Sequence, residues 1–269
     1  MQIYKALPDL SKSRLMRVWH QALARSWSPT EVDWDAPGTP TRDAQLDALG
    51  RILSPILTGE QAGLYSIAQI IRKLGATSEV ESQLFLSTQM VDESRHLELF
   101  TRYYHRLERE PLPIRRMPSG YLFQAKIMAD EPVDWLPGSL VSEVVAKRSL
   151  EELREKDVDP VFTDFSGRIL DDEARHLAFN HLWVEDRVAG KGADGNRLPA
   201  EEEARRIRGR VEEVLEMVPP ILDALQPDIV TLGISRPDLE ESIFEESRRR
   251  IEKSIESGFK HLEGRGVRA

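Results

Sequence analysis

Two short stretches of the sequence, 80 positions apart, carry the same pattern of acids and histidine. Residues 92–96 read Asp-Glu-Ser-Arg-His, and residues 172–176 read Asp-Glu-Ala-Arg-His. In a helix, residues three apart project to one side, so each stretch can present one carboxylate and one imidazole to the same ion. A single Glu-x-x-His arises by chance, but two copies in a chain with six histidines predict a dinuclear metal site in a four-helix bundle. The candidate ligands are Glu93, His96, Glu173 and His176.

The composition excludes several other kinds of site. The chain of 269 residues has 46 acidic against 37 basic residues, a net charge of −9, and no cysteine. The acidic balance disfavours nucleic acid as a partner, and the missing cysteine excludes thiolate zinc, iron–sulfur clusters and disulfides. No apolar run reaches the ~18–20 residues of a membrane-spanning helix, and the N-terminus lacks the apolar core of a signal peptide. We therefore expect a cytoplasmic protein.

Apolar residues recur at helical spacing along most of the chain, which predicts an all-α fold. We expect a single helical domain over 1–269, with extra N-terminal helices, a core bundle at about 41–190 and a C-terminal helical extension at about 199–265. Ser78 is a candidate N-cap. A flexible loop is expected at 189–196, from its glycine-rich composition. The predicted helices are 9–25, 41–74, 78–109, 139–156, 160–188, 200–225 and 237–262.

The stretch 119–137 is ambiguous. A short helix there can precede Glu131-Pro132, and a second break is expected at Pro137-Gly138 because proline and glycine interrupt helices. The helices that follow the bundle carry no motif, and covering the pocket is one possible role for them.

A bundle site of this kind also needs one glutamate from each partner helix. In an antiparallel hairpin, residues at equal height are equally far from the turn. Reflecting position 93 through the first turn, centred at 76.5, gives position 60, and reflecting 173 through the second, near 158, gives 143. Both positions are glutamates, whereas the rival acids Glu151 and Glu152 lie about two turns away from that height. The predicted ligand set gains Glu60 and Glu143.

Four carboxylates with two imidazoles suit a pair of iron or manganese ions, since oxygen-rich ligands match these metals. We expect two iron ions, with a manganese–iron pair as the alternative. The aspartates that precede the glutamates, Asp92 and Asp172, are placed to accept a hydrogen bond from a histidine of the facing helix, and the following arginines are placed to hold them. The alternative is two charged, solvated helix faces that match by chance.

With these residues in view, the sequence resembles the ferritin-like di-iron carboxylate superfamily, and specifically its oxygen-activating members with (Asp/Glu)-Glu-x-Arg-His motifs. The segment 27–33, Trp-Ser-Pro-Thr-Glu-Val-Asp, is similar to one that precedes the first ligand helix in ribonucleotide reductase small subunits and their ligand-binding oxidase relatives. The resemblance covers about residues 10–190. It implies an electron relay from Trp27 through Asp172 to a metal-bound histidine, His96. A hydrophobic plug between helices is the other reading of Trp27.

The sequence departs from both branches of that family. Phe100 occupies the position of the reductase radical tyrosine. A minority of reductase subunits also lack this tyrosine and use a manganese/iron pair, so Phe100 alone does not separate the alternatives. The last tyrosine of the chain is Tyr121, so no C-terminal tyrosine can pass a radical to a large subunit. Gly63 and Gly138 stand where the ligand-binding oxidases cross-link valine to tyrosine. The named chemistry of neither branch is therefore expected.

Some residues share a face with the ligands. Gly63 and Ala146 are small enough to leave room for a substrate, although close helix packing explains them equally well. Gln89 lies one turn before Glu93. Lys147 either pairs with an acid in the site or lies at the edge of the bundle, and the edge is favoured because burying an unpaired charge is costly.

We therefore predict a di-metal oxidase or oxygenase that uses O2 to oxidise a small organic molecule by hydroxylation, N-oxygenation or a related oxidation. An external electron donor is expected, and the resemblance implies a homodimer. The alternatives are a ribonucleotide reductase small-subunit-type protein, weakened by the missing tyrosines, and a ferritin-type ferroxidase, which would have no use for the Trp27 segment.

Overall fold

The computed structural model describes residues 9–38, 42–76, 79–191 and 198–266, and within these ranges the chain is helical without any strand. The all-α fold predicted from the sequence is confirmed. Single-turn 3-10 helices occupy Leu10–Lys12, Pro29–Glu31 and Ile114–Arg116. The α-helices in chain order are α1 (Arg14–Ala24), α2 (Asp43–Ala76), α3 (Val80–Leu107), α4 (Pro118–Ile127), α5 (Pro132–Glu155), α6 (Pro160–Val188), α7 (Ala200–Leu215), α8 (Val218–Ala224), α9 (Gln226–Thr231) and α10 (Arg236–Gly266).

Helices α2, α3, α5 and α6 form the central bundle. The helices α2 and α3 pack as one hairpin, α5 and α6 pack as a second, and α2 also contacts α5 while α3 contacts α6. Fully buried phenylalanines fill the bundle interior, among them Phe85, Phe100, Phe165 and Phe179. Outside it, α1 lies against α3 and α6, and α7 and α10 pack on α5 and α6.

Proline and capping residues set where the bundle helices begin. Pro118, Pro132 and Pro160 start α4, α5 and α6, where a missing N–H removes no hydrogen bond and the fixed φ suits the first turn. Asp159 caps α6, since its carboxylate accepts a hydrogen bond from the Val161 N–H at 3.0 Å. The α5–α6 turn is closed by Asp157 in the left-handed region, with φ at 45°.

The predicted break at Pro137-Gly138 is wrong, because α5 runs unbroken from Pro132 to Glu155. Trp135, Leu136, Pro137 and Gly138 are all buried in α5. Pro137 removes one early hydrogen bond of the helix, and the burial of these neighbours offsets that cost, as tertiary packing commonly overrides local propensity.

Other boundaries differ by less. The stretch 200–225 is split into α7 and α8 ahead of Pro219-Pro220, and α9 was not predicted. The expected helix start at Thr41, the N-cap at Ser78 and the loop at 192–196 lie outside the described residues. Among the helices that are described, none combines the length and apolarity that crossing a membrane requires.

Candidate metal centre

The six predicted ligands come together in the middle of the central bundle. Each of the four helices contributes: α2 one glutamate, α5 one glutamate, and α3 and α6 one Glu-x-x-His each. All six residues are buried, with between 0 and 9% of their surface exposed. Solvated helix faces would be exposed, so the chance-match alternative does not describe these residues. They are Glu60, Glu93, His96, Glu143, Glu173 and His176.

The two histidines point one nitrogen of each ring towards the carboxylates. The Nδ1 of His96 lies 3.2 Å from Glu60 Oε2 and 3.7 Å from Glu173 Oε1. The Nδ1 of His176 lies 3.4 Å from Glu173 Oε2, 3.5 Å from Glu143 Oε2 and 3.7 Å from Glu93 Oε1. The carboxylate of Glu173 therefore faces both histidines.

The opposite nitrogen of each ring faces an aspartate on the other Glu-x-x-His helix. His96 Nε2 lies 3.1 Å from Asp172 Oδ2, and His176 Nε2 lies 3.2 Å from Asp92 Oδ2. An aspartate at this distance favours the tautomer in which Nε2 carries the proton and donates a hydrogen bond to the carboxylate. That tautomer leaves the lone pair on Nδ1, which is the nitrogen that faces the four glutamates.

Two arginines hold the two aspartates in place. Arg95 donates to Asp92 and, at 3.0 Å, to Asp172 Oδ2. Arg175 donates to Asp172 and lies 3.5 Å from Asp92 Oδ2. All four residues are at least nine-tenths buried. Because two guanidinium groups face two carboxylates, this network of four side chains has no net charge, which limits the free-energy cost of burying it.

Trp27 lies at the end of this network. Its Nε1–H donates to Asp172 Oδ2 at 3.1 Å, and Asp172 in turn faces His96. The guanidinium of Arg95 stacks over the indole, 4.8 Å from the ring centroid, and Arg168 lies 5.7 Å from it. The hydrogen bond to Asp172 gives Trp27 a polar contact that a purely hydrophobic plug does not require.

The protonation of the cluster follows from burial and crowding. Burial lowers the pKa of His96, but the charge of Glu60 and the hydrogen bond to Asp172 outweigh it and raise the pKa to about 10. Burial and the charge of Glu60 raise the pKa of Glu93 well above its usual range, and burial and Glu143 do the same for Glu173. In the metal-free protein, protons therefore balance the crowded carboxylates.

The donor set fits a pair of divalent cations. One nitrogen or oxygen each from Glu60, Glu93 and His96 lie within 4.8 Å of one another, and the same holds for Glu93, Glu143 and His176. Glu93 belongs to both groups, so its carboxylate would serve as a ligand in each. The Nδ1 of His176 and one oxygen of Glu173 are buried without a hydrogen-bond partner among the described residues, and cations at these positions would satisfy them.

Gln89 is held between two of the glutamates. Its amide nitrogen donates to Glu143 Oε1 at 2.9 Å and approaches Glu93 Oε1 at 3.3 Å. The sequence placed Gln89 on the ligand face but assigned it no partner, because a contact with Glu143 crosses between helices far apart in the chain. The amide fixes the orientation of both carboxylates.

A mainly apolar cavity adjoins the cluster on the side of Glu60, Glu93, Glu143 and Glu173. Small residues open it next to the carboxylates: a Cβ added to Gly63 would lie 3.5 Å from the carboxyl group of Glu93. Helices α8 to α10 cover the cavity, and the sequence has no motif there that identifies those residues. The residues contributed by these helices and the turns between them are Ile221, Leu222, Leu225, Ile229, Ile234 and Leu239.

Lys147 points away from the cluster. Its Nζ lies 2.8 Å from Glu151 Oε1 and 3.2 Å from Glu246 Oε2 on α10. The structure therefore places Lys147 at the edge of the bundle, as the sequence favoured, and not in a pair with an acid of the site.

Solved structures of known proteins share this fold. A variant of an R2-like ligand-binding oxidase with an aerobically reconstituted Mn/Fe cofactor has a TM-score of 0.75 at 16% identity, covering 93% of this chain and 99% of that one. A second variant, with an Fe/Fe cofactor, has the same TM-score and identity and covers 93% and 98%. A third, with an anaerobically reconstituted Mn/Fe cofactor, has a TM-score of 0.75 at 17% identity and covers 93% and 95%.

No protein-family model and no curated protein matches the chain. At these identities the structural comparison establishes the fold and not the activity. The chain has the helical, ferritin-like fold of the R2-like ligand-binding oxidases.

Proposed function

We propose that the protein is a non-haem di-metal oxidase that uses O2 to oxidise a small organic molecule. The observation that supports this most directly is the buried set of four glutamates and two histidines, open on one side to an apolar cavity. The proposed ligands are Glu60, Glu93, His96, Glu143, Glu173 and His176. Oxygen-rich ligands with one imidazole per ion favour two irons, or manganese with iron, and the similar solved structures carry Mn/Fe or Fe/Fe.

Two redox-active ions held by these residues would supply the electrons that reduce O2 and leave an oxidising equivalent for the substrate. The residues of the chain supply the rest. Asp92 and Asp172 orient the two imidazoles, and Gln89 orients two of the carboxylates. The apolar wall excludes water from the reacting group, which limits unproductive loss of oxidising equivalents.

Electrons must return to the metals after each turnover, and we propose Trp27 as their route from an external donor. Trp27 is partly buried, and its hydrogen bond to Asp172 continues to His96. In this proposal the chain works as one domain, with the extension at about 199–265 closing the cavity. A homodimer stays a prediction from the family resemblance.

The test is iron loading followed by exposure to O2. Anaerobic protein is titrated with Fe(II), and bound iron and consumed O2 are measured per chain. We expect two irons per chain, and O2 uptake that stops when these are oxidised. Glu60→Gln should lower the stoichiometry, whereas Glu152→Gln, at a rival position on α5, should leave it unchanged.

Two outcomes would change the assignment. Continued oxidation and storage of iron beyond two per chain would favour a ferritin-type ferroxidase. A stable tyrosyl radical in the electron paramagnetic resonance spectrum after O2 exposure would favour a reductase-type subunit.

A further inference from the structure

The short helix α4, on the outside of the bundle, is apolar on both of its sides. Its inner side, with Gly120, Phe123 and Ile127, is buried. Its exposed positions follow the helical spacing i, i+3, i+4 and i+7, so they form one outer side. All four of these positions are apolar: Pro118, Tyr121, Leu122 and Ala125. Packing against the bundle accounts for the inner side only, since an ordinary surface helix is polar on its outer side.

The exposed apolar surface continues beyond both ends of α4. Ile114, in the 3-10 turn before the helix, is 46% exposed, and Met128, directly after it, is 41% exposed. Tyr121 and Leu122 are 56% and 53% exposed. Ten large hydrophobic residues are exposed within the described ranges, and positions 114–128 hold four of them. Single exposed hydrophobic residues are ordinary, whereas a cluster of this kind marks an interaction surface.

The same segment is basic in a chain that is acidic overall. Residues 111–129 contain three basic residues and no acidic residue, whereas the whole chain has a net charge of −9. Lys126 pairs with Glu213 of α7 at 2.9 Å. Arg115 and Arg116 are exposed, and neither forms an ion pair with another described residue. Two free guanidinium groups therefore lie next to the exposed apolar residues.

Three kinds of partner can cover such a surface: a second copy of the chain, a different protein, or a membrane. In a twofold contact of the surface with itself, Arg115 and Arg116 would meet no acid of residues 111–129, so charge repulsion opposes this contact. A stable protein interface uses about 20–30 residues on each side, whereas nine residues of this segment are exposed. An anionic lipid surface needs no matching residues, takes up apolar side chains and attracts arginine.

We propose that the segment 111–129 docks the protein on an anionic membrane surface, a property that goes beyond the proposed oxidase chemistry and does not depend on it. Tyr121 and Leu122 enter the boundary between head groups and acyl chains, where tyrosine is commonly found. Arg115 and Arg116 bind lipid phosphates. The contact is peripheral, because the ten residues of α4 are about half of what a membrane-spanning helix requires.

The test is sedimentation of the whole chain with lipid vesicles. Vesicles of phosphatidylcholine with about one-third phosphatidylserine are compared with vesicles of phosphatidylcholine alone, at about 0.1 M salt. We expect binding to the mixed vesicles to be at least about tenfold tighter, and to weaken at about 0.5 M salt because salt screens the attraction. Absence of binding to the mixed vesicles, or equal binding to both kinds, would overturn the proposal.

Two double variants separate the charged from the apolar part of the contact. Arg115→Gln/Arg116→Gln should weaken binding to the mixed vesicles about 30-fold, because two cations near the anionic surface are lost. Tyr121→Ser/Leu122→Ser should weaken it about tenfold or more, because less apolar surface leaves water. These side chains are exposed, so both variants should keep the native Tm within about 1 °C. Unchanged binding in both variants would overturn the proposed location.

The matched control removes the same kinds of side chain elsewhere. Leu23 is 52% exposed and Arg25 is exposed at the end of α1, a helix that packs against α3 and α6. Leu23→Ser/Arg25→Gln should bind the mixed vesicles as the native protein does. A loss of binding in this control as large as in the two variants of the segment would overturn the location as well.

A fluorescent label measures insertion directly. The chain has no cysteine, so Leu122→Cys and Leu23→Cys each allow an environment-sensitive dye to be attached at one position. We expect the dye at position 122 to shift to the blue on mixed vesicles and the dye at position 23 to stay unchanged. The reverse result would overturn the proposed orientation. Native dimers that dissociate in Tyr121→Ser/Leu122→Ser, measured by light scattering, would assign the surface to a second copy and overturn the proposal.

Discussion

Replacing Glu93 with glutamine tests the metal centre most sharply, because Glu93 lies in both groups of potential ligand atoms. At a free metal concentration of 100 times Kd, each bound ion stabilises the fold by about 2.7 kcal/mol, and two ions by about 5.4 kcal/mol. With about 2.1 cal/mol/K of unfolding entropy per residue, the 269-residue chain has about 0.56 kcal/mol/K. Metal should therefore raise the Tm of the native protein by about 10 °C.

In Glu93→Gln both positions lose a ligand. If each Kd rises about a hundredfold, the remaining stabilisation is about 0.4 kcal/mol per ion, and the rise in Tm falls to about 1–2 °C. Without metal, the variant should be at least as stable as the native protein. Burial and Glu60 already disfavour the charged form of Glu93, so a neutral amide should leave the Tm of the metal-free protein equal or higher.

The assay is thermal unfolding with and without Mn(II), and the matched control is Glu98→Gln on the same helix. Glu98 is a surface residue paired with Arg102, and such pairs contribute little. The control should keep the full metal-dependent rise within about 1 °C. If Glu93→Gln keeps the full rise, or lowers the Tm of the metal-free protein by several degrees, the assignment of Glu93 as a ligand is wrong.

Three further predictions concern pH, the aspartate network and helix packing. Because the pKa of His96 is raised to about 10, its contribution to the stability of the metal-free protein is present below about pH 6.5 and is lost as the pH rises towards 10. Thermal melts from pH 6.5 to 9 should show a Tm that falls with pH in the metal-free protein. The increase in Tm produced by Mn(II) should become larger over the same range, since metal binding displaces protons; an increase that becomes smaller with pH would contradict this. Asp172→Asn should weaken iron binding about 10- to 100-fold in equilibrium titrations, whereas Asn at the exposed neighbour Asp171 should not. In Gly258→Ala the new Cβ would lie 2.6 Å from Val188 Cβ, which should lower the free energy of unfolding in denaturant by about 1–3 kcal/mol. The control Gly209→Ala, whose new Cβ would have no atom within 4 Å, should raise it by about 0.5–1 kcal/mol. Equal effects of the two variants would contradict the packing of α10 on α6.

The candidate ligands could be predicted from the sequence, because the prediction uses only the spacing of residues along one helix and the symmetry of an antiparallel hairpin. A Glu-x-x-His projects to one side of any helix, and an antiparallel hairpin brings residues equally far from its turn to the same height. Those two rules pick out Glu60 and Glu143 without any knowledge of side-chain contacts. The all-α fold follows from the same helical periodicity.

Neither the unbroken helix at Pro137 nor the identity of the residues that cover the cavity could be predicted in this way. Local propensity argues for a break at Pro137-Gly138, and only the burial of Trp135 and Leu136 in the assembled bundle offsets it. Likewise, Ile221 and Ile229 belong to short helices whose apolar residues are compatible with many packing partners.

The sequence by itself determined the chemical groups and the helix faces that present them, because periodicity along one helix depends on residues only a few positions apart. Only the tertiary structure decided which further groups meet across helices: the Gln89 amide with Glu143, Lys147 with Glu246, and the residues of α8 and α9 with the cavity. These contacts join residues that are distant in the chain, and they depend on how whole helices pack rather than on any local preference.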